Sequence, residues 1–237
     1  MRITVIYNNV PLQPELKTGW GFAAVIETPD GNVLFDTGGD GDLLLANMES
    51  SGLFPADIQT VVLSHNHGDH TGGLEAFLQQ NAHLTVYIPE SFPKSLQKGI
   101  AAFGAQVVCI GKQPTRLWGP LHSTGEMGQG IPEQALIGES AHGPILITGC
   151  AHPGICNMAS RVDAYLGQGV YLLLGGMHLM GMHSTQAQSI IEKLQSMGVS
   201  KVAPSHCTGQ KMIEVFRQAW GPDFINGGCG AQIEIEP

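Results

Sequence analysis

Charge is scarce in this chain. Asp, Glu, Lys and Arg make up only 13% of its 237 residues, about half the ~25% usual in globular domains. Positive charge is the scarcer sign: 11 Lys plus Arg stand against 20 Asp plus Glu, a net charge of −9. That balance argues against a nucleic-acid or anionic-membrane binder, because either partner demands a basic face. Cysteine is sparse too. Cys109, Cys150, Cys156, Cys207 and Cys229 are odd in number and form no CxxC pair, which speaks against a disulfide framework or a zinc finger. No apolar run approaches the ~18 residues of a membrane span. Met1 to Tyr7 alternate like a strand, unlike the apolar stretch of a signal peptide. No membrane association is expected, and the cytoplasm is the expected location.

What the sequence does have is glycine and histidine. Thirty-two glycines are nearly twice the average ~7%, so many loops can take left-handed conformations or run close to other groups. Ten histidines nearly equal the Lys plus Arg total. Strand-like and helix-like segments alternate in both halves, after a ββ opening over residues 20–36. Strands are predicted over 2–8, 60–64, 84–88, 106–110, 144–148, 169–174, 200–204 and 231–235. Helices are predicted over 41–51, 71–80, 93–103, 155–167, 185–197 and 208–219. Residues 111–143 carry little periodicity and read as short strands with a long loop. This is a layered α/β pattern, expected as one domain over 1–237.

The histidines cluster where predicted strands end. Ser64-His65-Asn66-His67-Gly68-Asp69-His70-Thr71-Gly72-Gly73 follows the strand that ends at Leu63. In extended backbone His65 and His67, two residues apart, point to one side. Three imidazoles and a carboxylate within six residues suit zinc, iron or manganese, with zinc the default for a nitrogen-rich set. A phosphate-binding loop does not fit, since neither GxxxxGK[ST] nor GxGxxG occurs at this junction.

The HxHxDH segment resembles the signature of the metallo-β-lactamase superfamily, and the resemblance runs along almost the whole chain. Phe35-Asp36-Thr37-Gly38 resembles the superfamily's early strand-end motif, whose Asp supports the site without binding metal. His152, in Thr148-Gly149-Cys150-Ala151-His152-Pro153-Gly154, resembles the next ligand. His206, in Pro204-Ser205-His206-Cys207-Thr208-Gly209, resembles the last. The resemblance implies a four-layer αββα sandwich. One metal site would use His65, His67 and His152, and the other Asp69, His70 and His206. One or two divalent transition metal ions are implied, zinc first, with iron, manganese or nickel as alternatives. Trp20-Gly21-Phe22, Gly175-Gly176-Met177-His178-Leu179 and His206-Cys207-Thr208-Gly209 are similar to a subgroup labelled after a dihydropterin–ribofuranosyl-aminobenzene 5′-phosphate synthase. Most of its members are called metal-dependent hydrolases.

One position departs from the superfamily pattern. Most dinuclear members carry an Asp after the strand that here ends at Leu174, and this chain has Gly175-Gly176-Met177-His178 instead. His178 would either ligate a metal or face the substrate. Cys150 and Cys207 flank the ligand positions, where either could approach the metals, and read first as small buried residues. Met177, Met180 and Met182 suit either a pocket wall or core packing. His83, His122, His142 and His183 read as solvated, and Glu126 and Glu133 receive no role.

The expected activity is that of a metallo-hydrolase. A metal-bound hydroxide would attack an ester, lactone, amide or phosphoester of a small, anionic substrate. Asp69 would ligate metal and orient the water, and His178, if not a ligand, would stabilise the developing oxyanion. Three alternatives accompany this reading: a synthase-type transfer joining a phosphoribosyl donor to an aromatic amine acid, a non-haem iron redox enzyme, and a non-catalytic metal- or ligand-binding protein. The sequence carries no signal for an oligomeric state.

Overall fold

Alternating side-chain direction along the strands sorts the chain into layers. The computed structural model describes residues 1–236, apart from the side chain of Ser184. The first half runs β1 (Arg2–Asn8), β2 (Phe22–Thr28), β3 (Gly31–Phe35), α1 (Gly41–Ser50), β4 (Ile58–Val62), α2 (Gly68–Thr71), α3 (Leu74–Gln80), β5 (Thr85–Pro89), α4 (Lys94–Ala102) and β6 (Gln106–Ile110). The second half runs β7 (Thr115–Trp118), β8 (Leu121–Ser123), β9 (Leu136–Gly138), β10 (Ile145–Thr148), α5 (Ile155–Leu166), β11 (Leu172–Gly176), α6 (Ser184–Ser196), β12 (Lys201–Ser205), α7 (Gln210–Trp220) and β13 (Gln232–Glu234).

The strands form two mixed sheets, ordered β13-β1-β2-β3-β4-β5-β6 and β12-β11-β10-β9-β8-β7. In each, one part is parallel and carries the helical crossovers: β3 to β6 in the first and β10 to β12 in the second. Phe22, Ala24 and Ile26 of β2 share one buried cluster with Ile145 and Ile147 of β10 and Leu172 and Leu174 of β11. Their intervening neighbours Ala23 and Val25 pack instead with Leu44, Met48, Phe77 and Ile100 of the first helical layer. Leu146 and Leu173 pack with Met158, Ile191, Met212 and Phe216 of the second. The period-2 alternation thus builds the expected αββα sandwich. Each fully buried Leu, Ile, Val or Phe contributes ~1.5–3 kcal/mol of transfer free energy to it.

The helix predicted over 71–80 is divided into α2 and α3 at Gly72-Gly73. A Cβ on Gly72 would collide with the Gly39 carbonyl, and one on Gly73 with the Thr37 carbonyl. The two glycines therefore let the chain after His70 press against the chain after β3, where the Thr37 backbone N–H donates to the His70 carbonyl at 2.8 Å. The strand predicted over 169–174 lies at 172–176, so its last residues are the two glycines before Met177. Residues 111–143 form the antiparallel strands β7, β8 and β9 joined by a long connection between β8 and β9. His122 is not solvated as expected. It is buried, with Nε2 2.7 Å from the Glu139 carboxylate and Nδ1 3.0 Å from the Tyr165 hydroxyl.

Candidate metal centre

Parallel strands end at the same edge of their sheet, and the segments that leave them are presented at that edge. The residues after β3, β4, β10, β11 and β12 are Asp36, Ser64 to His70, Cys150 to His152, His178 and His206. Among the described residues, four non-glycines have positive φ: Asp36 at 57°, Ala151 at 61°, His178 at 53° and His206 at 49°. All four belong to these strand-end segments. Left-handed backbone at a non-glycine costs of order 1 kcal/mol or more and persists where surrounding contacts over-determine it.

Those contacts bring two triads together. His65, His67 and His152 each offer a ring nitrogen within 4.8 Å of the others. Nε2 of His65 faces Nδ1 of His67 at 3.1 Å. Asp69, His70 and His206 form the second group, also within 4.8 Å. Oδ2 of Asp69 lies 3.7 Å from Nε2 of His70 and 3.4 Å from Nε2 of His206.

The ring nitrogens that point away from the site are held by the protein. Nδ1 of His65 lies 2.9 Å from the Ser64 hydroxyl, which itself donates to Asp36 at 2.7 Å. Nδ1 of His70 is 2.7 Å from Asp36, Nδ1 of His152 is 2.8 Å from Glu133, and Nδ1 of His206 is 2.7 Å from the Asn9 side-chain oxygen. Four histidines thus have one nitrogen engaged and Nε2 turned inward, the pattern that orients imidazoles on a metal. Nε2 of His206 is buried with no hydrogen-bond partner. A buried polar atom left in that state is costly unless something fills the gap. Imidazole, carboxylate and thiol donors around it fit a zinc-like divalent ion.

Electrostatics agree with that fit. Burial pushes His65 down to about 3 and His70 down to about 4, and it lowers His206 as well. These rings are therefore neutral at pH 7, the state that can donate a lone pair to a metal. Burial opposes ionisation of Asp69, but the adjacent His206 and then His70 outweigh it and hold the carboxyl well below its usual range. Glu133 is fully buried. Desolvation alone would raise its pKa, but hydrogen bonding from His152, the field of His65 and backbone N–H groups bring it down to about 2. Asp36 goes the other way, with burial raising it to about 7.

The site opens into a cleft of ≈ 280 Å³ lined by Trp20, His67, Asp69, Cys150, His152, His178, Met180, His206 and Cys207. Trp20 is 49% exposed and Met180 59% exposed, so the mouth is apolar. The Trp20 ring lies 4.9 Å from that of His206. Among the described residues no Lys or Arg lines this cleft. His178 sits beside His152, ring centroids 4.6 Å apart, and groups with His152 and Cys150 rather than with Asp69. The three methionines divide: Met177 is core, Met182 packs against that core, and Met180 forms a wall of the cleft.

Two supporting residues escaped the sequence reading. Glu133, on the connection before β9, accepts from the backbone N–H groups of Cys150, Ala151 and His152 at 2.9, 2.8 and 2.9 Å. It fixes the whole segment that carries His152. Asn9, just after β1, orients His206 across 197 positions. Only the placement of Glu133 in a long connection hinted at a role.

Residues 19–206 match the family model of the metallo-beta-lactamase superfamily. A relative from Methanocaldococcus jannaschii, named 7,8-dihydropterin-6-methyl-4-(beta-D-ribofuranosyl)-aminobenzene-5′-phosphate synthase, is 27% identical over 86% of this chain and 84% of its own length. Among solved structures, Tm1679, described as a metal-dependent hydrolase of the beta-lactamase superfamily, superposes over 100% of both chains with a TM-score of 0.84 at 22% identity. The short form of human tRNase Z does so with a TM-score of 0.70 at 13% identity, again over 100% of both chains. At these identities the two structures share the fold.

Proposed function

The chain belongs to the metallo-beta-lactamase superfamily, and from that membership we propose that it is a metal-dependent hydrolase of a small molecule carrying an ester, lactone, amide or phosphoester. The observation that carries this reading is the pair of triads, each with its imidazoles braced from behind and its remaining donors facing one cleft. His65, His67 and His152 would hold one ion, and Asp69, His70 and His206 a second. Ions held there would supply Lewis-acid polarisation of a substrate oxygen and acidification of water.

The protein's own groups do the rest. Asp69 is ionised and only partly buried, so besides holding an ion it can accept a hydrogen bond that orients an incoming water. His178 stands at the cleft beside His152 and, with its pKa lowered by burial, is a neutral hydrogen-bond partner for a substrate oxygen at pH 7. Trp20 and Met180 would cover the apolar part of the substrate and keep bulk water from the reacting bond. With no Lys or Arg among the described residues lining the cleft, an anionic substrate group would find its positive charge at the metal centre.

Synthase-type transfer is the second reading, and the Methanocaldococcus jannaschii relative favours it. A phosphoribosyl donor would need cationic side chains that the described cleft lacks. The test is turnover by metal-loaded protein of a panel of esters, lactones, amides and phosphodiesters, alongside the phosphoribosyl transfer. Hydrolysis of one class, abolished by chelation and restored by metal, supports the proposal. Transfer without hydrolysis would replace it.

A further inference from the structure

Two divalent ions held by the two triads would bring four positive charges to a site where Asp69 is the only carboxylate among the proposed donors. Cations a few ångströms apart in a water-poor site repel strongly. An anionic donor lying between them would offset that repulsion, and one side chain is placed to do so. Cys150 belongs to a donor group with His65 and His70, to another with His152 and His178, and to a third with His206 and Cys207, each within 4.8 Å. Its sulfur is therefore close to two members of each triad. Sγ lies 3.2 Å from Nε2 of His70, the nitrogen that Asp36 leaves free. The third group contains His206, whose buried Nε2 has no partner.

The local packing is built around this sulfur. Glu133 accepts from the Cys150 backbone N–H and fixes its position at the end of β10. Gly176 lies against it from β11: a Cβ there would collide with the Gly149 carbonyl and come within 2.7 Å of Cys207 Sγ and 3.2 Å of the Cys150 Cα. A carboxylate-bearing side chain therefore has no room at 176, the position beside the Cys207 thiol and the Cys150 backbone. Cys207 has a different place, with Sγ directed to the Cys150 carbonyl at 3.6 Å, and among the described residues it shares a donor group only with Cys150 and His206.

We propose that the Cys150 sulfur bridges the two metal positions as a thiolate, the anionic donor between the His65/His67/His152 and Asp69/His70/His206 triads. This rests on the metal-site reading above. Thiolate is the form in which cysteine ligates metal, and coordination removes its proton to solvent. Soft sulfur in the bridge also favours zinc, cobalt or iron over magnesium or calcium.

The test is spectroscopic. Metal-stripped full-length protein is titrated with cobalt(II), and binding is followed by equilibrium dialysis while thiolate-to-cobalt charge transfer is followed in the near ultraviolet. The expected result is two cobalt ions per chain with a charge-transfer band. Cys150→Ala should remove the band and weaken the second equivalent at least tenfold, while Cys207→Ala keeps both. Two ions bound by the unsubstituted chain without a charge-transfer band would overturn the bridge and leave the metal-site reading intact, whether or not the Cys150 variant folds. A band that survives in Cys150→Ala and vanishes in Cys207→Ala would also overturn it. Failure to bind any cobalt would overturn the metal site itself.

Discussion

Nδ1 of His70 lies 2.7 Å from Oδ2 of Asp36, and neither side chain has any exposed surface. The pair joins the end of β3 to α2, and the Ser64 hydroxyl and backbone N–H donate to the same carboxylate at 2.7 Å each. Asp36 itself does not point into the cleft. Its work is to hold His70 with Nε2 facing Asp69 and His206. Replacing it with Asn removes the charge and one strong acceptor. Asp36→Asn is expected to weaken metal binding ~10–100-fold, the usual cost of losing an outer partner of a ligating histidine. Competition with a calibrated chelator measures it, and an unchanged affinity would contradict the assignment.

Glu133 holds three backbone N–H groups and His152 Nδ1 on one buried carboxylate. Gln at this position would put an amide NH₂ where at least one of these donors now finds an acceptor. Glu133→Gln is expected to cost ~2–5 kcal/mol in metal-free protein, since it strips charge from buried hydrogen bonds. Denaturant unfolding checks this. A loss within experimental error would mean that the His152 segment is held by something else.

The motif from His65 to His70 was legible because its residues are neighbours in sequence and its chemistry is local. The helical cover of both sheets was legible because strands and helices alternate along the sequence and the strands read as apolar runs, which are buried on both faces. Glu133 was not, because its partners lie 17 to 19 positions later and only the pairing of β9 with β10 brings them together. The break between α2 and α3 was also hidden. Nothing local forbids a helix through Gly72-Gly73, and the contact that requires glycine there is with Thr37 and Gly39. His122 was misread for the same reason, since Glu139 and Tyr165 reach it only in the folded chain. Cys150 stood two residues from a recognised histidine, but its position between the triads comes from strands of both sheets.

Acid should destabilise the metal-free protein. Burial lowers His65 from 6.5 to about 3 and His70 from 6.5 to about 4. As pH falls from 6.5 toward those lowered values, the unfolded chain takes up two protons that the native chain does not, which removes stability. Asp36, raised from 3.8 to about 7, acts in the opposite sense and offsets one of them. The lowered His206 adds to the histidine side, so the net is at least about one proton more on the unfolded chain, or on the order of 1 kcal/mol or more lost per pH unit from about pH 6 to 4.5. Denaturation midpoints across that range should fall on acidification. A flat or rising profile would contradict the neutral state assigned to these histidines.

Trp20 is half exposed and stands over His206 at the cleft mouth. Trp20→Ala removes little core packing, so its effect on unfolding free energy should stay within ~1 kcal/mol. Its effect on catalysis should appear mainly as a raised KM on whichever panel substrate is hydrolysed, because the ring contributes binding to the part that does not react. A fall in kcat at unchanged KM would assign the ring to the reacting centre instead.

The most direct measurement is metal stoichiometry. Stripped protein dialysed against zinc should take up two ions per chain. His67→Ala should lose or weaken one, His206→Ala the other, and His83→Ala, on the exposed surface, neither. Failure to take up metal, or uptake that none of these substitutions alters, would contradict the two-triad centre.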